Sequence, residues 1–358
     1  MVPDAIDLNA LHRVLVVKLR HHGDVLLTSP LFAVLKAHAP HLDIDALVYA
    51  DTQEMLTGHP AIDRIFTIDR RWKDEGPSTY VRHEWALFRA LRVRHYDLLV
   101  HLTEHPRGAW LARALGPRYA VTRDWSPRRS RFWLAAFSHR YQVSAKPRHT
   151  VEVHLDALRR IGVQPGEAER SLVLVAGDAA ESAIATHMRE QGLTPKSFIL
   201  IHPTSRWLFK SWRPESFGAL IDRLHDDGQR VVLTAAPAER ELAFVREVEA
   251  RLRTPAVDLS GRLTLKQLAA LIGKARLFIG MDSVPMHIAA AMQTPCVALF
   301  GPSGEDEWGP WRVEHRVVTR NYSCRPCGLD GCGQGKVSEC LVTITVDQVY
   351  AAARELLA

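Results

Sequence analysis

Three short runs carry the side chains of this chain best suited to chemistry: Arg20-His21-His22-Gly23-Asp24, His202-Pro203-Thr204-Ser205-Arg206-Trp207-Leu208-Phe209-Lys210, and Gly280-Met281-Asp282-Ser283-Val284-Pro285-Met286-His287. Each follows an apolar run that reads as a strand and precedes a helical pattern. A carboxylate such as Asp24 at a helix entrance accepts hydrogen bonds from free backbone N–H groups. The same carboxylate within reach of a hydroxyl is a general base. Thr204, Ser205 and Lys210 combine neutral donors with one point charge, a set that holds phosphate. Taken alone, they read equally as caps and a solvated lysine. In the third run Pro285 suits the first turn of a helix, and a helix N-terminus beside Ser283 favours an anion. Asp282 would repel that anion and is read as holding sugar hydroxyls or backbone donors. His287, inside an apolar helix, reads by itself as a core histidine. No Gly-x-x-x-x-Gly-Lys-Ser/Thr and no Gly-x-Gly-x-x-Gly after a strand is present, which disfavours a nucleotide kinase or an ordinary dehydrogenase.

The elements that must position these runs alternate between apolar strands and amphipathic helices, the pattern of parallel sheets with crossover connections. The series occurs twice. The first half holds RVLVVKL, the helix-like VLLTSPLFAVLKAHA, IDALVYA and YDLLVHLT. The second restarts at SFILIHPTS and continues through QRVVLTAA, PAVDLSG, RLFIGMDS and TPCVALFG. Neither half continues cleanly between about residues 142 and 196. The reading is two α/β, doubly wound domains, 1–180 and 181–358, with the last helix, VDQVYAAARELLA, assignable to either. Open sheets of this kind bind ligands beyond the carboxyl ends of their strands, so two of them offer opposite sides of one cleft.

A chain of 358 residues supports two cores. With 47% hydrophobic and 24% charged residues it is globular rather than disordered or fibrous. The N-terminus has acids before a short apolar run and no small-residue cleavage site, and no window reaches the length of a membrane span, so a cytoplasmic protein is expected. The formal charge is +6, and arginines crowd residues 70–140 among Trp72, Trp85, Trp110, Trp125, Phe132 and Trp133. That composition fits an anionic partner: nucleic acid, a phosphorylated glycan or an anionic membrane surface. The one Asp-x-Asp, Asp43-Ile44-Asp45, opens a strand and reads as structural. Cys324, Cys327, Cys332 and Cys340 have the spacing C-x2-C-x4-C-x7-C, which suits either a structural zinc or free thiols in a reducing compartment.

GMDSVPMHIAAA…TPCVALFGPSG, together with KLRHHGDVLLTSP and HPTSRWLFKSW, resembles the ADP-heptose:lipopolysaccharide heptosyltransferases of glycosyltransferase family 9, and within them the heptosyltransferase III branch. The resemblance covers most of the chain. It implies two Rossmann-like domains facing a cleft, the glycosyltransferase-B fold: an N-terminal acceptor-binding domain and a C-terminal ADP-heptose-binding domain. It implies inverting transfer of heptose from ADP-heptose to the inner core of lipopolysaccharide, with peripheral contact at the inner face of the inner membrane and no nucleic-acid partner. By the same resemblance Asp24 is the base. Thr204, Ser205 and Lys210 bind the donor diphosphate, Glu239 or, two residues on, Glu241 holds the ribose, with Glu239 the better fit to the motif, and the backbone near Leu263 meets adenine. Asp282, Ser283 and His287 complete the donor site, and no divalent metal is required. One departure is Val284-Pro285, where family members often carry Gly. Two rival readings remain at this point: a two-domain glycosyltransferase using a UDP-sugar, and a non-catalytic nucleic-acid binder.

Overall fold

A computed structural model describes residues 3–358 of the chain. The fold divides into two compact units, Met1–Val175 and Ala176–Ala358. In the first unit the strands are β1 (Arg13–Val17), β2 (Asp43–Tyr49), β3 (Arg64–Ile68), β4 (Leu98–His101), β5 (Tyr119–Arg123) and β6 (His139–Tyr141). They form one sheet in the order β3-β2-β1-β4-β5-β6, and every pairing is parallel. In the second unit the strands are β7 (Phe198–His202), β8 (Arg230–Leu233), β9 (Val257–Asp258), β10 (Leu277–Met281), β11 (Cys296–Leu299) and β12 (His315–Val318). Their order, β12-β11-β10-β7-β8-β9, repeats the first, again with parallel pairing throughout. The expected doubly wound α/β class therefore holds for both units.

Burial explains which strands form the centres. β1, β4, β7, β10 and β11 are apolar and almost wholly buried, as strands covered on both faces must be. In each sheet the chain reverses direction beside its first strand, between β1 and β4 and between β7 and β10. Open sheets place their ligands at that crevice, outside the carboxyl ends. The turns after β1, β7 and β10 are the three runs singled out by their chemistry.

Local departures from the sequence reading have simple causes. The pattern after β1 is two helices, His22–Leu26 and Ser29–His38, with Pro30 in the first turn of the second. PAVDLSG contributes only a two-residue strand. The last helix, Val346–Leu357, packs on the second unit, where Val349, Ala352 and Ala353 join the core formed by β7, β8, β10 and β11. Asp45 is fully buried at the amino end of β2 and accepts hydrogen bonds from Tyr96 Oη at 2.7 Å and Arg94 Nε at 2.7 Å, so the Asp-x-Asp is structural.

Candidate active site

The turn after β1 brings Asp24 into the first turn of the helix His22–Leu26. His21, not Asp24, is the N-cap residue. Asp24 instead faces Lys18, with Oδ1 3.7 Å from Nζ. Lys18 is buried and donates to Leu102 O at 3.1 Å and to His154 Nε2 at 3.0 Å. His154 Nδ1 lies 3.0 Å from Leu27 O. An ammonium can only donate, so Nε2 accepts and Nδ1 carries the proton that meets the carbonyl. His154 is thereby fixed neutral, and burial, then the neighbouring Lys18 charge, holds its pKa well below the ordinary value. Burial also lowers the Lys18 pKa, while Asp24 and Glu104 oppose that shift. Sequence reasoning passed over Lys18 and His154. Their signal was faint: a lysine inside the apolar run RVLVVKL, and a histidine 136 residues away.

The turn after β7 builds a second buried network. Thr204 Oγ1 donates to Glu241 Oε2 at 2.7 Å, His202 Nε2 lies 3.4 Å from Thr204 Oγ1, and His202 Nδ1 lies 3.0 Å from Thr234 Oγ1. Since the Thr204 proton goes to Glu241, the consistent chain has His202 Nε2 donating to Thr204 and Thr234 donating to Nδ1. Burial lowers the His202 pKa from 6.5 to about 4, so this imidazole is neutral at neutral pH. The two acids weighed from the sequence take different positions. Glu241 is buried against Thr204, whereas Glu239 is exposed at the start of the helix Glu239–Glu249 and pairs with Arg246. Ser205 Oγ accepts from Trp207 N at 3.2 Å and keeps its own proton to donate.

Lys210 ends a short 3-10 turn in the same loop. Its Nζ lies 2.6 Å from Asp282 Oδ2, across from the end of β10, and Ser303 donates to the same carboxylate oxygen. Asp282 thus holds an ammonium and a side-chain hydroxyl. Ser283 occupies the N-cap position of the helix Val284–Ala291, donates to Met281 O at 3.4 Å, and has Pro285 one residue inside the helix. His287 is buried in that helix. Gly280 leaves room for the Phe278 ring of its own strand: a Cβ there would stand 2.6 Å from that ring and 3.2 Å from His202 O. Leu263 is half-buried in the loop after β9, just before the capping box formed by Thr264 and Gln267. The residues given to the donor site all lie on loops or helix starts at the carboxyl edge of the second sheet.

Residues 84–337 match the family model described as glycosyltransferase family 9 (heptosyltransferase). The chain belongs to that family. It is a glycosyltransferase with 37% identity over 297 residues to the Escherichia coli protein lipopolysaccharide heptosyltransferase 3, covering 82% of this chain and 84% of that one. A solved family 9 glycosyltransferase from Veillonella parvula superposes over 99% of both chains with a TM-score of 0.84 at 24% identity. The Escherichia coli heptosyltransferase WaaC, solved with ADP, superposes over 96% of this chain and 99% of its own with a TM-score of 0.75 at 20% identity. At these identities both structures speak to the fold alone, and they share it.

Burial chiefly holds the Cys340 thiol above its usual range, and Cys332, Cys327 and Cys324 add to that shift, so the four thiols share one neighbourhood. Cys324 and Cys332 are exposed, Cys327 is half-buried, and Cys296 and Cys340 are buried. Among the described residues no group of three or more His, Cys, Asp or Glu is placed to hold a metal ion.

Proposed function

We propose that this family 9 glycosyltransferase transfers heptose from ADP-heptose to the inner core of lipopolysaccharide, as a heptosyltransferase III. The observation that carries the reading is the Lys210–Asp282 contact at 2.6 Å beside the turns of Ser205 and Ser283, at the crevice where the second sheet reverses. The identity to lipopolysaccharide heptosyltransferase 3 supports the transferred sugar and the acceptor class.

In this reading the second unit holds the donor. Ser205, Ser283 and the amide groups of their turns meet the diphosphate, and Lys210 offsets the charge that grows on it as the bond to the anomeric carbon breaks. Thr204 is locked to Glu241, so its part is to set the loop. Glu239, exposed at the helix start, is offered to the ribose, Leu263 to adenine, and Asp282 and His287 to the remainder of the donor. On the first unit Asp24 takes the proton of the attacking acceptor hydroxyl, and the configuration at the anomeric carbon inverts. The acceptor is anionic and membrane-borne, so the enzyme works as a peripheral protein of the inner face of the inner membrane. Among the described residues no helix is long and apolar enough to cross a membrane.

The deciding experiment sets ADP-heptose, a UDP-sugar and an oligonucleotide side by side in a thermal-shift assay, followed by turnover on a core acceptor lacking the branching heptose. Stabilisation by ADP-heptose with heptose incorporation is expected. Stabilisation by the oligonucleotide alone, or by the UDP-sugar alone, overturns the proposal.

A further inference from the structure

Of the ten large hydrophobic side chains exposed among the described residues, Val81, Trp85, Val93, Trp110 and Phe132 belong to one face of the first unit. They sit on or beside three helices, Pro77–Arg92, Pro106–Leu115 and Arg131–Ala136. These helices lie side by side. Arg107 bridges from the second to Glu84 and to Tyr80 Oη at 3.3 Å on the first, and Arg92 Nη1 donates back to Ala114 O at 2.9 Å. The rings of Trp110 and Phe132 stand 4.5 Å apart and join the second helix to the third. Their opposite sides are anchored in the core through Leu91, Ala109, Ala112 and Trp133.

On the first helix the exposed positions recur every four residues: Val81 with Arg82, Trp85 with Ala86, Arg89 with Ala90, and then Val93. Arginines and large apolar groups thus share one stripe. Across the three helices six arginines stand against the single acid Glu84, so the face carries most of the chain's formal charge of +6. Among the described residues none pairs with Arg82, Arg89 or Arg131. Each helix also follows a strand of a parallel sheet and so begins at the carboxyl edge, the edge that carries Asp24.

We infer that this face is the surface by which the enzyme docks on an anionic lipid bilayer. Arginine drawn to lipid phosphate, with Trp and Phe seated at the headgroup level, is the arrangement by which amphipathic helices lie on membranes. A second copy of the chain is disfavoured, because an isologous contact would set this positive face against itself. The three helices present a broad surface rather than a strand-wide groove, which favours a bilayer over single-stranded nucleic acid. The inference rests on the lipopolysaccharide reading only for its purpose, which is to bring the Asp24 edge to a lipid-anchored acceptor.

The full chain is sedimented with vesicles of phosphatidylglycerol and phosphatidylethanolamine, with neutral phosphatidylcholine vesicles, and with a labelled single-stranded oligonucleotide. Salt-sensitive binding to the anionic vesicles is expected, with a blue shift of tryptophan emission. Joint replacement Arg82→Gln, Arg89→Gln and Arg131→Gln should lower that binding about tenfold or more. Joint replacement Trp85→Ala, Trp110→Ala and Phe132→Ala should weaken it and reduce the blue shift. All six side chains are exposed, and melting temperature confirms folding. Unchanged vesicle binding by the arginine variant, or binding of the oligonucleotide and not of the vesicles, overturns the inference. Turnover on detergent-dispersed acceptor separates the two readings: both variants should keep the wild-type rate there, whereas a wild-type protein inactive in detergent but bound to vesicles counts against the transferase reading alone.

Discussion

Lys210 and Asp282 are 72 residues apart in sequence, yet ammonium and carboxylate meet at 2.6 Å across the reversal point of the second sheet. The carboxylate side chain is 9% exposed and the ammonium side chain 24%. Ser303 holds the same carboxylate oxygen, so the lysine is aimed by a partner that is itself fixed. A bound diphosphate would compete with Asp282 for this cation, and the strength of the contact then tunes donor affinity against leaving-group stabilisation.

Lys210→Ala should reduce kcat/KM by about 100-fold or more, with more of the loss in kcat than in ADP-heptose affinity, because charge on the leaving group grows toward the transition state. Asp282→Ala should reduce kcat/KM by a smaller factor, and the double variant should fall short of the product of the two losses. Steady-state kinetics on folded variants decide the matter. Wild-type kinetics from folded Lys210→Ala would remove the phosphate assignment.

Asp24→Asn should lower turnover by about 100-fold or more while the protein stays folded, with a modest fall in melting temperature because buried Lys18 loses the carboxylate 3.7 Å away. Lys18→Met tests the group behind it. With the ammonium gone, Asp24 loses the charge 3.7 Å away that orients it, and kcat should fall while the KM for ADP-heptose stays constant. An unaltered kcat makes Lys18 a packing residue, and an active Asp24→Asn enzyme excludes Asp24 as the base.

The central strands were legible because β1, β4, β7, β8, β10 and β11 are continuous apolar runs between turn residues. β3, β5, β6 and β12 were not. Arg64-Ile65-Phe66-Thr67-Ile68 and His315-Arg316-Val317-Val318 lie at sheet edges and are only partly buried, so polar residues interrupt them. Asp24, Ser205, Lys210 and Asp282 could be placed at the turns after β1, β7 and β10 because turn chemistry is local. Their partners could not: Lys18 with His154, Lys210 with Asp282, and Thr204 with Glu241 pair across 136, 72 and 37 residues. Spacing along the chain carries no record of such pairings, and the motif that favoured Glu239 is blind to which carboxylate turns inward.

The cysteine loop makes its own test. With an aromatic disulfide reagent, Cys324 and Cys332 should react first, Cys327 more slowly, and Cys296 and Cys340 only on unfolding. Burial pushes the Cys296 thiol up to about 12, which leaves almost no thiolate to attack. Metal analysis of the purified protein should find no stoichiometric zinc, and a chelator should not shift the melting temperature. About one equivalent of zinc with four protected thiols would show that the loop closes around a metal.

The buried histidines predict how stability depends on pH. His202 has its pKa lowered from 6.5 to about 4 by burial, His59 likewise to about 4, and His101 to about 3. Between those values and 6.5 the unfolded chain binds the protons that the folded chain refuses, so stability rises with pH through that window. The contribution is complete above pH 6.5 and is lost as pH falls toward 4. For His202 the shift corresponds to about 3 kcal/mol at most. His202→Asn should therefore lower stability at pH 7.5 by about 1 kcal/mol through the lost bonds to Thr234 and Thr204. The deficit should shrink or reverse by pH 4.5, where the wild type meets the cost of charging or excluding a proton at the buried ring. Urea unfolding of both proteins across this range reads the difference directly. Curves that stay parallel from pH 7.5 to 4.5 would mean that His202 is protonated as readily in the folded chain as in the unfolded one, and the neutral link from Thr234 to Glu241 would have to be abandoned.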